Sequence, residues 1–128
     1  MATYIYYEST TPPGVTQWEL FDKNAETILS LIEATDNIIS DELIEVAGRS
    51  NSVTTKLIIY FENKQTADAY LSNTPNVVSF CSDPEMVKYC NDNNIVYSVS
   101  VNDTSNTLTE IIDSVDSDNF SSWSIRSI

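Results

Sequence analysis

The apolar and polar positions change period several times along the chain. Residues 2 to 8 form an apolar and aromatic run that predicts a strand. Thr10-Thr11-Pro12-Pro13-Gly14 stops it, because two prolines remove ladder donors and fix the backbone. Between residues 15 and 35, Trp18, Phe21, Ala25, Ile28, Leu29 and Ile32 fall at helical spacing, which predicts a helix from about Asn24, capped by Asp22 or Asn24. Strands follow over residues 38 to 48 and 53 to 62, and the short polar link Arg49-Ser50-Asn51-Ser52 reads as a hairpin turn.

Asn63 is placed to cap a helix with Ala67, Tyr70 and Leu71 on one face, ending near Asn73-Thr74-Pro75. Ser82 and Glu85 have capping-box spacing, and Pro84 sits in the first turn of a further helix that turns Met86, Val87 and Cys90 inward. Asn91 to Asn94 break that helix, and residues 95 to 101 predict a fourth strand. The order is βαββαβ. With right-handed crossovers it gives the α+β ferredoxin-like arrangement, a four-stranded antiparallel sheet with both helices on one face. This core spans residues 1 to 102 of a single domain. The extension from 103 to 128 holds a helix, with Thr107 and Glu110 at capping-box spacing and Leu108, Ile111, Ile112 and Val115 as its stripe. Alternation around Trp123 and Ile125 then predicts a fifth strand at a sheet edge.

The strands themselves raise a problem of coverage. A sheet with helices on one side alternates apolar and polar residues. Here Leu57, Ile59 and Phe61 can face the helices, yet Lys56, Ile58 and Tyr60 on the other side are also largely apolar, and Tyr4 and Tyr6 oppose Ile5 and Tyr7. An apolar centre with a polar rim is the profile of an interaction surface. The leading reading is a homodimer packed sheet to sheet through Tyr4, Tyr6, Leu43, Ile58, Tyr60 and Val96. The other is that the C-terminal helix or strand folds back over this face within one chain, or is exchanged between subunits.

Charge narrows the function. Nineteen carboxylates against six bases in 128 residues give a net charge of −13. Gripping a phosphate backbone is therefore excluded, and a basic protein partner is the electrostatic complement. The sequence has no histidine, which removes histidine triads and histidine-held metals, and its two glycines cannot build a phosphate-cradling loop. No signal peptide or membrane span is read, and Cys81 and Cys90 read as reduced structural thiols, so a cytoplasmic setting without cofactor is expected.

Three chemical candidates are weaker than their plain structural readings. The acidic run from Asp113 to Asn119 lacks the central glycine and closing glutamate of a calcium loop and reads as a helix end. Glu8, at the rim of the sheet face, is the best placed carboxyl for acid/base work, and a solvated strand end is the plainer reading. Glu19, Asp22, Glu26, Glu33 and Asp36 form an acidic stripe on the first helix, which fits ordinary amphipathicity and also an acidic inhibitor that mimics DNA.

The segment from about residue 29 to 78 resembles the dimeric α+β barrel superfamily. The resemblance rests on the strand Leu57-Ile58-Ile59-Tyr60-Phe61 running through Glu62-Asn63 into a helix with the face Ala67-x-x-Tyr70-Leu71. It implies subunits that press their sheets together and, in some members, small aromatic ligands or cofactor-free oxygenation. Many members use histidine, which this chain lacks, so no catalytic residue carries over. The Asn-, Ser-, Thr-, Ile- and Tyr-rich composition also resembles products of AT-rich genomes, bacteriophages among them. The function expected is a non-catalytic accessory or interaction protein acting as a homodimer. Its rivals are a small-ligand-binding protein or cofactor-free enzyme of the barrel type, and an acidic inhibitor of a basic partner.

Overall fold

The computed structural model describes residues 1–12, 44–50, 54–73, 76–116 and 123–127. Its sheet has five strands, β1 (Ala2–Thr10), β2 (Ile44–Ser50), β3 (Thr54–Phe61), β4 (Val96–Thr104) and β5 (Ser124–Ser127), in the order β4-β1-β3-β2-β5, each pair antiparallel. The first four strands stand in the ferredoxin-like order with β1 and β3 at the centre, and the last strand extends the edge beside β2. The helix expected from Asn24, its acidic stripe, the tip of the hairpin and residues 38 to 43 lie outside the described residues.

Three strands outrun their sequence expectation, and pairing is the reason; β2 continues through Arg49 and Ser50, which pair with Lys56 and Thr55. Ser9 and Thr10 still lie opposite Thr55 and Thr54, so β1 reaches the residue before the Thr-Pro-Pro stop. At the other end of the sheet Asn102, Asp103 and Thr104 pair with Tyr4, Thr3 and Ala2. The poor strand propensity of Asn and Asp is overridden there. Thr3 Oγ1 donates to Asp103 Oδ1 at 3.0 Å, and Lys64 Nζ lies 3.6 Å from the other carboxylate oxygen.

Helices α1 (Lys64–Ser72), α2 (Val77–Phe80) and α3 (Pro84–Asp92) connect β3 to β4. Asn63 caps α1, its Oδ1 accepting from the backbone N–H of Thr66 at 2.9 Å. The cap of α3 is Asp83 rather than Ser82: its Oδ1 accepts from Glu85 N at 2.9 Å and Met86 N at 3.3 Å. Proline explains the shift, because the residue before it is forced out of helical geometry into the extended conformation a cap requires. Ser82 is still closing the preceding turn, its N–H bonded to Ser79 O at 3.1 Å. Asn94 ends α3 in the left-handed region at φ 56°, and Ile95 N reaches back to Cys90 O at 2.8 Å. This is the Schellman arrangement, and asparagine is among the few residues besides glycine that enter it readily. The short α2 was not foreseen. Its signal is Asn76 with Ser79 three residues on, a reciprocal cap made without the usual Glu or Gln.

These helices cover what we term the first face. Ile5, Tyr7, Ile59 and Phe61 from the sheet meet Tyr70, Met86 and Cys90. The Phe61 and Tyr70 rings lie 5.4 Å apart, and the Tyr70 hydroxyl accepts from Val77 N at 3.0 Å, tying α2 to α1. The inward set expected of α3 holds: Met86 and Cys90 are buried and Val87 is half-buried. Both cysteines are free thiols. Burial, with a smaller contribution from Cys90, pushes the Cys81 thiol up to about 11, which makes it a poor nucleophile at neutral pH.

Burial also pushes Tyr7 and Tyr70 up to about 12 from the ordinary 10.0. The folded state thus holds protons that the unfolded chain releases at lower pH. The stability this lends is complete below about pH 9 and is lost as pH rises from the unfolded values of 9.0 and 10.0 through the folded values of about 11 and 12. Each tyrosine contributes at most about 3 kcal/mol. Urea midpoints should therefore fall steeply above pH 10, with phenolate absorbance rising together with unfolding. A midpoint unchanged up to pH 11 would contradict this packing.

Candidate functional site

Strand periodicity sends Tyr4, Tyr6 and Glu8 of β1, Lys56, Ile58 and Tyr60 of β3, and Glu45 and Ala47 of β2 to the second face. Helix α4 (Leu108–Val115) lies on it. The helix starts where the capping box predicted. Thr107 Oγ1 accepts from Glu110 N at 3.3 Å, and Glu110 Oε1 accepts from Thr107 N at 3.1 Å. Its stripe then packs Leu108, Ile111 and Ile112 on Ala2, Ala47, Ile58 and Tyr60, with Val115, Trp123, Tyr4 and Tyr6 around the margin. Burying three such side chains is worth roughly 5 to 9 kcal/mol gross. That is what stabilises an eight-residue helix too short to persist alone.

Of the two covers expected for this face, a second subunit or the C-terminal segment, the structure shows the C-terminal helix. The central residues of the face are already covered by the chain's own helix: Ile58 is 0% exposed and Tyr60 9%. Tyr4 and Tyr6 are half-buried beside the helix, Val96 stands 73% exposed at the corner of β4 opposite Thr10, and Leu43 lies outside the described residues. The five that are described therefore do not form one open patch. A stripe tethered by three residues to the end of β4 reaches the sheet at far higher effective concentration than a second molecule does.

Polar contacts hold both ends of α4. At the start the Tyr60 hydroxyl donates to Asn106 O at 3.4 Å. At the finish Lys56 Nζ, on a residue only 2% exposed, donates to Val115 O at 2.7 Å. An ammonium there is favoured twice, by the hydrogen bond to an otherwise orphan carbonyl and by the negative end of the helix dipole. Glu8 stands directly across from Lys56 and accepts from the Tyr6 hydroxyl at 3.0 Å. The carboxylate considered for proton transfer is thus engaged in a structural polar line. Lys56 was legible only as an oddity, a charged residue at a covered position of an apolar strand.

A second group of charges gathers at the opposite end of the helix. Tyr60 is pushed up from its ordinary value by burial first, then by the negative fields of Glu62, Glu45 and Glu110. Glu45 lies directly across from Tyr60, Glu62 follows just past the end of β3, and Glu110 stands in the first turn of α4, so three carboxylates act on one ring. Such a site attracts a cation. Of the acidic run at the end of α4, Asp113 is exposed and Asp116 is the C-cap, while 117 to 119 lie outside the described residues. Among the described residues no group of three His, Cys, Asp or Glu side chains is arranged to hold a metal. Among the described residues Asp116 Oδ1 and Trp123 Nε1 are buried and find no hydrogen-bond partner. No helix among the described residues is long and apolar enough to cross a membrane.

No protein-family model matches the chain, and comparison with curated proteins gives no match. Among solved structures the chain is similar to a variant of SnoaB, a cofactor-independent oxygenase from Streptomyces nogalater, at 8% identity and a TM-score of 0.46, covering 84% of this chain and 96% of that one. It is also similar to Foldit4, a de novo designed protein, at 14% identity and a TM-score of 0.42, covering 81% of this chain and 99% of that one.

If α4 is the cover of the second face, Ile111→Ala should lower the unfolding free energy by about 2 to 5 kcal/mol, through lost burial and the cavity left over Ile58. Thr109→Ala, on the exposed side of the same helix, should change it by less than about 0.5 kcal/mol. Urea denaturation of both variants checks this, and equal effects would contradict the packing.

Proposed function

We propose that the protein is a non-catalytic interaction protein that docks a basic surface of another protein on the acidic rim around Tyr60. The observation that carries the reading is the pairing of Glu45 directly across from Tyr60, with Glu62 just past the end of β3 and Glu110 in the first turn of α4, which sets three carboxylates around that ring. A lysine or arginine brought there meets three carboxylates beside apolar surface, a combination suited to a cation with an apolar stem. The rest of the surface supports long-range attraction. Among the residues whose side chains are described, eight carboxylates are exposed against two lysines, Lys64 and Lys88, and Lys64 is already beside Asp103. With a net charge of −13 the field steers basic partners toward the molecule and repels nucleic acid.

A second reading is a small-ligand-binding protein or a cofactor-free enzyme. It is favoured by the buried Asp116 Oδ1 and Trp123 Nε1, an acceptor and a donor without partners beside apolar surface. Buried polar groups left unpaired by the protein can fix the orientation of a small molecule. Quenching of tryptophan emission by a planar aromatic ligand at equimolar saturation would favour it.

The test of the first reading is a labelled lysine-rich peptide titrated against two neutralised proteins. Glu45→Gln, Glu62→Gln and Glu110→Gln together remove the rim charges while Gln keeps the capping box at Glu110. Asp68→Asn, Glu85→Gln and Asp92→Asn remove as many exposed charges elsewhere. The rim variant should bind about tenfold more weakly, from three ion pairs of roughly half a kcal/mol each. The control should lose no more than about twofold to threefold, from the weaker general field. Equal losses in the two variants would show that the rim is not the docking site.

A further inference from the structure

The two edges of the sheet are built differently. On one side β5 is four residues long, which fits the usual protection of an edge by shortness. On the other side β4 is nine residues long, lacks Pro, Gly, Lys and Arg, and bears a single charge at Asp103. Nothing among the described residues pairs with its outer edge. Val96 and Val101 are 73% and 47% exposed along it. A long, nearly uncharged edge with unpaired backbone donors and acceptors is a template for another strand.

We infer that the strand it takes is β4 of a second copy of this chain, antiparallel, in a register centred on Ser100. Three observations select that occupant. First, the register that pairs all nine residues sets Val96 opposite Thr104 of the other copy, and by symmetry places Ser100 on the two-fold axis. Second, the register is chemically self-complementary. Val101 meets Val99 of the other copy on the first face, Ser98 meets Asn102 on the second, and Asp103 meets Tyr97, so no carboxylate faces a carboxylate. Third, two bodies of charge −13 repel, and the stretch from Val96 to Asn102 is an uncharged approach long enough for pairing. The single nearby carboxylate, Asp103, is already held by Thr3 and Lys64.

The pairing joins two five-stranded sheets into one and makes about nine backbone hydrogen bonds, near the number in an ordinary protein interface. Its apolar content is small, a few valines, so association should depend on protein concentration across the micromolar range. Added salt screens the repulsion and should strengthen this dimer, whereas it weakens docking of a basic partner. The inference does not rest on the acidic rim, and failure of either leaves the other standing.

Sedimentation velocity on the full chain tests it, with Ser100→Glu and Ser100→Lys, both at an exposed position that should not disturb folding. Wild type should shift from monomer to dimer with concentration, more readily at about 0.5 M than at about 0.05 M salt. Each variant alone sets like charges against each other at the axis and should dimerise about tenfold more weakly, while an equimolar mixture should restore the dimer. A wild type that stays monomeric at every concentration and salt would overturn the inference. So would single variants that dimerise as well as wild type, or a mixture that fails to recover.

Discussion

A β-sheet whose central strands carry apolar side chains on both faces has to be shielded twice, and most of this structure follows from that constraint. Ile59 and Phe61 look one way and Ile58 and Tyr60 the other, all from one strand. The connections of a ferredoxin-like core place their helices on one side only. The second side is covered by the C-terminal extension, whose helix α4 brings three large apolar residues to it. The extension is therefore the other half of the hydrophobic core rather than an appendage to a finished fold.

Charge is arranged around that cover in a way that gives the helix two unlike ends. Lys56 is withdrawn from solvent to meet the last carbonyl of α4, where the helix dipole is negative. At the first turn Glu110 completes the cap and contributes, with Glu45 and Glu62, to the field around Tyr60. One cation taken inward leaves the outside more acidic than composition alone implies. The same contacts that hold the helix down thus shape the surface proposed to meet a partner.

Much of the fold was legible in the sequence because local signals and tertiary demand agreed. Asn63, Pro84, Thr107 and Glu110 each sit where backbone chemistry needs them, and strand order followed from the alternation of periods. Where a signal was misread, a competing local rule decided: proline moved the α3 cap from Ser82 to Asp83. The excess of apolar residues on Ile58 and Tyr60 was visible, but what covers them was not, because an amphipathic stripe fits a neighbouring molecule as well as its own chain. The geometry settled on α4. The acidic rim was illegible for a different reason. Glu45, Glu62 and Glu110 are far apart in sequence, and only the β2–β3 register and the docking of α4 bring them to one ring.

The central claim, that one chain covers both faces of its own sheet, is tested most directly by isotope-filtered nuclear Overhauser measurements on a mixture of labelled and unlabelled protein. The account predicts contacts from the methyl groups of Ile58 to those of Ile111 and Ile112 within the labelled chain, with none between chains. Contacts found only between chains, or residues 108 to 115 with the chemical shifts of an unstructured peptide, would contradict it.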